Sequence, residues 1–574
     1  MGRRFDMVKM TQMQKMLSVD ATFPMAMTVR DGVLRYEDGT EVVLWGSNFQ
    51  PNLYWEYKFR MEHLGLPMTL ETMQTMCDDG FKDLAIMGCD LIRCHLTPAD
   101  FTDADGNLVD TLWLDMLGYM VAKARENNVY VYITFMNQME YVFLEDSFVP
   151  KYTCEQWIFN PDCVAKTQNM IQQLVNWTNP YNGLKLKDDK AIAVWGLINE
   201  PEYSTFTQMR EHPEQKALFC AWTEKEGAAF NDIHYARYRY GVVKTYIDSM
   251  HNLLRAEGAQ QPVVWNCNWP RMIDGRRDVF TAIADSKADA VAFCLYPGQD
   301  DVGDPFMEHA ADMSDKNYLP FLKYCFEDYY HLGWVRDPQF AGKAKLVYEF
   351  ETMYNEKSSY LHPAMAKLFR ALGVQMAAMW THCFNIYSAH MGCSHNLNLK
   401  TTPKKAVGYI IAGQVFHHLP RGFEYKTLSD VHDVFGAFAL SYEHDFSVAS
   451  TPDLFIHSGD VSWCPVEVPT MPARIIGYGS SPLVSYKGQG LYIIDIEART
   501  IRIDLYPHAR FLREAWQWHA DGRLVTELDE ETAVPFELRI PGFEPIVFKK
   551  PPGTYTFRLV VDHQSSWVAD HVSS

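Results

Sequence analysis

The chain lacks most of the short signatures by which a sequence declares its chemistry. No stretch holds eighteen consecutive apolar residues, so no membrane span is expected. The leading MGRRFDMVKMTQMQKMLSVD has basic residues but no unbroken apolar core and no small-residue cleavage site, so it does not read as an export signal. Positive charge is scarce: 52 Lys and Arg stand against 72 Asp and Glu, a net charge of −20. Such a chain repels phosphates, which argues against nucleic acid as a partner. There is no GxGxxG and no GxxxxGK run, the Gly-rich turns that usually mark a doubly wound sheet. Without a GxSxG elbow no Ser-His-Asp site can be built. The twelve cysteines form no CxxC pair, and Cys94, Cys267 and Cys294 sit in apolar runs where a buried thiol is the default. Scattered thiols and no export signal together imply a reducing cytoplasm.

What is present is ordinary in bulk and informative in order. At 574 residues the chain can hold a large domain and an appended one. Its 47% hydrophobic and 22% charged residues suit a soluble globular protein. The 14% aromatic share fills a large core, and equally suits a cleft where sugar rings stack on aromatic faces.

Residues 1–24 resemble a tail or surface helix. From Met25 the sequence alternates and turns at Asp31-Gly32 and Asp38-Gly39, the pattern of a short hairpin. Apolar strand-like runs then alternate with amphipathic helical segments: 42–48, 91–96, 129–135, 191–201, 262–268, 290–297, 345–351 and 374–382. Asn127-Asn128 ends one helix, and Asn160-Pro161 opens another as N-cap and N1. Eight strands separated by helices imply parallel pairing with right-handed crossovers, and a (β/α)8 TIM barrel fits the run better than an open sheet. A helix at about 403–418 follows. From roughly 430 short strands alternate with turns, as an all-β sandwich requires. The expected division is a tail at 1–24, a barrel with its leading hairpin at 25–425, and a C-terminal β-sandwich domain at 426–574.

Barrels present their catalytic groups at the C-terminal ends of the strands. The polar residues there are Asn48, Arg93 and His95, Asn137, Asn199 and Glu200, Asn266 and Asn268, Tyr296, Glu349 and Glu351, and Trp380 and His382. Carboxylates on strands four and seven face each other across the mouth. A pair separated by roughly 5–5.5 Å can cleave a glycosidic bond with retention, one as acid and the other as nucleophile. The ionised nucleophile raises the pKa of the acid and keeps it protonated near neutral pH.

Asn199-Glu200-Pro201 after an apolar strand, with Glu349 in LVYEF three strands later, resembles clan A of the glycoside hydrolases, especially family 5. The resemblance spans residues from about 40 to 400. It implies Glu200 as acid/base and Glu349 as nucleophile. It further implies Arg93 as a support of that nucleophile, Tyr296 as a donor to it, Trp380 as floor of the innermost sugar subsite, and Asn199 as a partner of the sugar 2-hydroxyl. Many family 5 enzymes carry His two residues before the strand-six Tyr; here that position is Cys294, which leaves the family number open. Glu351 competes with Glu349 because residues two apart on a strand point the same way. Glu349 is preferred, since the family has an apolar run, then Glu, then Phe.

His95 and Asn137 are candidates for sugar hydroxyls, and Trp55, Trp265 and Trp269 for sugar platforms. The cluster His382, Cys383, His390, Cys393, His395 invites zinc, but its spacing fits no standard site, and no metal or other cofactor is expected. The expected activity is retaining hydrolysis of β-linked gluco-, manno- or galacto-type glycosides or short oligosaccharides. A non-catalytic carbohydrate-binding barrel and a transglycosylase using the same pair are the alternatives. A metal-dependent hydrolase would need an HxH-type motif on strand one, which VVLWGSN lacks. The expected partner is carbohydrate, with neither nucleic acid nor membrane, and a homo-oligomer is compatible with the sequence.

Overall fold

The computed structural model describes residues 23–137, 139–267, 276–297, 316–352, 358–392, 395–461, 464–513 and 522–562. They form two compact units. The first takes in residues up to Leu295 with Tyr324–Phe350 and Leu372–Trp380. The second comprises Tyr296–Lys323, Glu351–Ala371 and the chain from Thr381 onward.

In the first unit, β1 (Met27–Arg30) and β2 (Val33–Tyr36) form the expected hairpin, with Arg30 opposite Val33. The loop between them, Asp31-Gly32, has φ of 53° and 71°, the two positive values a type I′ turn demands. A Cβ on Gly32 would also lie 1.9 Å from the Ala341 carbonyl oxygen, so only glycine fits.

Eight parallel strands follow: β3 (Leu44–Asn48), β4 (Leu91–His95), β5 (Tyr130–Met136), β6 (Ile192–Ile198), β7 (Val263–Asn266), β8 (Ala290–Leu295), β9 (Ala344–Phe350) and β10 (Val374–Met379). They close into a barrel in the order β10-β3-β4-β5-β6-β7-β8-β9, a (β/α)8 TIM barrel. Nearly every strand residue is buried on both faces, which is why the strands are continuous apolar runs and not alternating ones. Helices Leu70–Ile86, Leu112–Glu126, Pro161–Asn176 and Asp232–Ala256 each begin with a side-chain cap, from Thr69, Thr111, Asn160 and Asn231 respectively. The Asn160-Pro161 pair works as its residue types require: Asn160 Oδ1 accepts from the Asp162 and Cys163 N–H groups, and Pro161 needs no partner at N1.

In the second unit, helices Leu361–Ala371 and Pro403–His418 pack on each other. The latter is buried on nearly every side and also lies against strands of the C-terminal sheet. That sheet has eight strands: β11 (His432–Phe435), β12 (Phe438–Ser441), β13 (Phe446–Ser450), β14 (Leu454–Ser458), β15 (Arg474–Tyr478), β17 (Tyr492–Glu497), β18 (Thr500–Leu505) and β23 (Gly553–Arg558). A three-stranded sheet of β16 (Val484–Tyr486), β21 (Val534–Leu538) and β22 (Ile546–Lys550) shares its core. Tyr486, Phe536 and Leu538 from the small sheet meet Val448, Phe455, Ile494 and Ile503 from the large one. A further hairpin pairs β19 (His508–Phe511) with β20 (Thr526–Asp529). The C-terminal region is thus an appended β domain. Among the described residues no helix is long and apolar enough to cross a membrane.

Candidate active site

Arg93 organises the barrel mouth. It lies on β4, is fully buried, and distributes its guanidinium over four side chains. Nη1 donates to Glu349 Oε1 at 2.7 Å and to Asn48 Oδ1 at 2.9 Å; Nη2 donates to Asn199 Oδ1 at 2.6 Å and to Thr134 Oγ1 at 3.2 Å. The rings of Tyr132 and Tyr348 cover its Cζ at 5.3 and 4.9 Å. Burial, the largest influence, would lower the guanidinium pKa, but Glu349 together with Tyr132 and Tyr348 holds it above the ordinary value. A buried cation this well paired keeps Glu349 in one place and favours its ionised form.

Both Tyr348 and Glu349 reach Arg93 although they are adjacent on β9. The register explains this: Phe293 faces Val347, the next residue Cys294 faces Glu349, and Tyr348 is the extra residue of a bulge. A bulge breaks the alternation that would send neighbours to opposite faces.

Glu200 follows β6 with φ of 46°, a left-handed conformation uncommon outside glycine, immediately before Pro201. Burial first, and then the Glu349 charge, push its carboxyl up to about 8 against the pull of Arg93. The residue keeps some solvent exposure, as a group that must meet a substrate needs. Asn199, one residue earlier, gives its Oδ1 to Arg93, so its Nδ2 is left as a donor and lies 3.3 Å from Asn137 Oδ1.

His95 stacks on Trp380 with ring centroids 5.1 Å apart at 19°. Burial and the Arg93 charge lower its pKa well below the usual range, so the ring is neutral. Neither ring nitrogen, nor Asn137 Nδ2, has a hydrogen-bond partner among the described residues. His95 Nδ1 lies 4.0 Å from Glu349 Oε1. Buried polar atoms without partners are costly unless a ligand supplies them.

The remaining expected residues have surroundings of their own. Glu351 lies just beyond β9, so strand alternation does not govern it. It belongs to the second unit, fully buried, with Lys405 Nζ at 2.8 Å and His362 Nε2 at 3.8 Å. Burial, the largest influence, would raise its pKa, but Lys405 together with His362 and His395 holds the carboxylate below its usual range. Glu351 is therefore an internal ion-pair partner rather than a rival to Glu349. Tyr296 directly follows β8 and meets His395 edge-on, with centroids 5.7 Å apart. Trp55 is 6% exposed and stacks on Phe59 at 4.7 Å with the Arg60 guanidinium over its ring. Trp265 is wholly buried and donates to the Tyr203 hydroxyl at 2.9 Å, so it is core and not a platform. Asn268, Trp269 and Cys393 lie outside the described residues. His382 meets Phe384 edge-on and His390 Nδ1 contacts the Gly522 carbonyl; among the described residues this cluster does not converge on a common point.

Several contributors escaped sequence reasoning. Tyr132 and Thr134 point inward at i, i+2 on β5, a phase visible in the sequence but shared with every inward residue. Tyr132 also donates to Asn266 Oδ1 at 2.5 Å. Glu202 interacts with Glu155, and burial and that neighbour raise its pKa; nothing local pairs these two positions. Beside them the Cys154 thiol is pushed up to about 12 by burial and by Glu202, Glu155 and Glu200.

No protein-family model matches the chain, and neither does any curated protein. Among solved structures, the chain is similar to an endo-1,4-beta-mannanase from Rhizomucor miehei (15% identity over 62% of this chain and 90% of that one, TM-score 0.41). It is also similar to the endo-beta-1,4-mannanase from Thermotoga petrophila (12%, 92% and 99%, TM-score 0.45) and to a glycoside hydrolase family 5 mannosidase from Rhizomucor miehei (10%, 69% and 99%, TM-score 0.44). At these values the likeness carries no statement about activity, and the barrel rests on its own strand pairing.

Proposed function

We propose that the protein is a retaining glycoside hydrolase that cleaves β-linked glycosides or short oligosaccharides of gluco-, manno- or galacto-type by double displacement. One arrangement carries the reading: Arg93 donates to the Glu349 carboxylate at 2.7 Å, which favours its ionised form, while burial and the Glu349 charge push Glu200 up to about 8. At neutral pH Glu200 carries the proton that the leaving oxygen needs, and Glu349 is free to attack the anomeric carbon. Forming the glycosyl-enzyme ester removes the Glu349 charge, which lowers the Glu200 pKa. Glu200 then takes a proton from the incoming water, which displaces Glu349 and returns the site to its starting state.

The surrounding residues serve this sequence. Arg93 turns Asn199 so that its Nδ2 is available to the sugar 2-hydroxyl, a contact that strengthens in the transition state. His95 and Asn137 bring the unpartnered buried atoms that further hydroxyls would satisfy, and Trp380, fixed by stacking on His95, offers a ring face to the glycone. No step calls for a metal or an organic cofactor. Twelve scattered cysteines without a CxxC pair fit a reducing compartment, and we place the enzyme in the cytoplasm.

The test is a panel of aryl β-glycosides (glucoside, mannoside, galactoside, xyloside, fucoside) with Glu349→Ala and Glu351→Ala alongside wild type. Turnover of one glycone, abolished in Glu349→Ala and partly restored by azide with inverted product, is the expected result. Azide rescue of Glu351→Ala instead would move the nucleophile. Sugar binding without turnover of any glycoside would leave a barrel that only binds carbohydrate.

A further inference from the structure

The second unit brings two imidazoles and a carboxylate together at the edge of its large sheet. β11 is the four-residue edge strand, and His432 at its start faces Ser441 at the end of β12. The chain then turns through Tyr442–Asp445 into β13. Two residues of that turn are engaged within the unit: the Tyr442 ring meets Tyr360, and Asp445 takes Ser359 Oγ and the Lys404 ammonium. Glu443 and His444 point out, beside His432.

The three side chains converge. Glu443 Oε2 lies 2.9 Å from His432 Nε2, and the His444 ring is 5.5 Å from the His432 ring at 22°. One ligand atom from each residue falls within 4.8 Å of the others. Ser441 organises the group from beneath: its Oγ accepts the His444 N–H at 2.9 Å and lies 2.9 Å from His432 Nδ1. A hydroxyl oxygen has two lone pairs, so it can take the Nδ1–H as well. Without metal, Nε2–H donates to the Glu443 carboxylate; a metal replacing that proton leaves Nδ1–H on Ser441 Oγ, the outer partner a metal-bound histidine ordinarily has.

We propose that His432, Glu443 and His444 bind one Zn²⁺ ion, with water completing a tetrahedral shell. Two imidazoles and a carboxylate are a zinc ligand set with one open position. With metal–ligand distances of about 2.0–2.1 Å, ligand atoms on a tetrahedral ion stand about 3.4 Å apart, so closure needs shifts of only about 1–1.5 Å. His432 and Glu443, with side chains 30% and 59% exposed, have room to make them. The nitrogen donors select against Mg²⁺ and Ca²⁺, which take oxygen shells. The ion would clip the edge strand to the β12–β13 turn and act on stability, separately from the carboxylate chemistry of the barrel.

The experiment titrates Zn²⁺ into the chelator-stripped full chain at neutral pH by calorimetry and follows its melting temperature. Wild type is expected to bind one equivalent more than the double variant His432→Ala/His444→Ala, and to melt higher with Zn²⁺ than without. Glu443→Gln should weaken that equivalent at least about tenfold, and Mg²⁺ should change nothing. The variants alter surface side chains, and their metal-free melting temperature reports whether they fold. Equal stoichiometry and affinity in wild type and double variant, or no saturable Zn²⁺ binding, would overturn the site.

Discussion

Glu200 combines two unfavourable features: a left-handed backbone conformation before proline, costing on the order of 1–2 kcal/mol, and a carboxyl that burial and Glu349 make hard to ionise. The pKa sets the sign of two pH effects. The acid must be protonated to work, so kcat/KM for a glycoside with a poor leaving group should fall as pH rises through about 8. In Glu200→Gln that alkaline limb should vanish, and poor leaving groups should suffer far more than activated ones; a uniform loss would remove Glu200 from the acid role. The second effect is on stability. A carboxyl whose folded pKa is raised from 4.5 to about 8 favours folding fully below the lower value, and that contribution is lost as pH rises through the upper one. Glu200→Gln should therefore stabilise the fold at pH 7–8, on the order of 1–3 kcal/mol, and leave it nearly unchanged at pH 4. Thermal melts of both proteins at the two pH values decide this; equal differences at both would contradict the raised pKa.

At the scale of elements, the Arg93 cradle depends on how closely β5 and β6 approach. A Cβ on Gly196 of β6 would lie 2.6 Å from Thr134 Oγ1 and 2.8 Å from Tyr132 Cε2, both of which contact Arg93. Gly196→Ala should cost about 1–3 kcal/mol in urea unfolding and lower kcat by displacing the residues that aim the guanidinium. Loss of stability with kcat intact would mean that the cradle tolerates such a shift. The strands themselves were legible from residue order, because burial on both faces leaves eight long apolar runs that no turn interrupts. The bulge at Tyr348 was not: it is a count of residues in β9 against β8, and neither strand carries that count alone. Strand alternation therefore left Glu349 and Glu351 equivalent.

On the scale of the whole molecule, the two units do not follow chain order, since segments 296–323 and 351–371 join the C-terminal half. Glu351 is separated from Glu349 by a single residue yet belongs with Lys405 and His362 of the second unit. Lys405→Met would leave a buried carboxylate unpaired and should destabilise the chain by about 3–5 kcal/mol, with the double change Glu351→Leu/Lys405→Met recovering most of it. Scanning calorimetry of the three proteins checks this; a single variant as stable as wild type would show that the pair contributes little.

Residue order alone determined the barrel, its leading turn at Asp31-Gly32, the Asn160-Pro161 helix start and the candidate carboxylates at two strand ends. Each follows from local periodicity, backbone preference or capping, which a sequence displays directly. Which carboxylate stands against Arg93 and which against Lys405, and which tryptophans are core, were decided only by tertiary structure. The grouping of His432 with Glu443 and His444 was decided the same way. In each case the deciding partner is remote in sequence or set by strand register, and charge pairing and desolvation depend on distance in space.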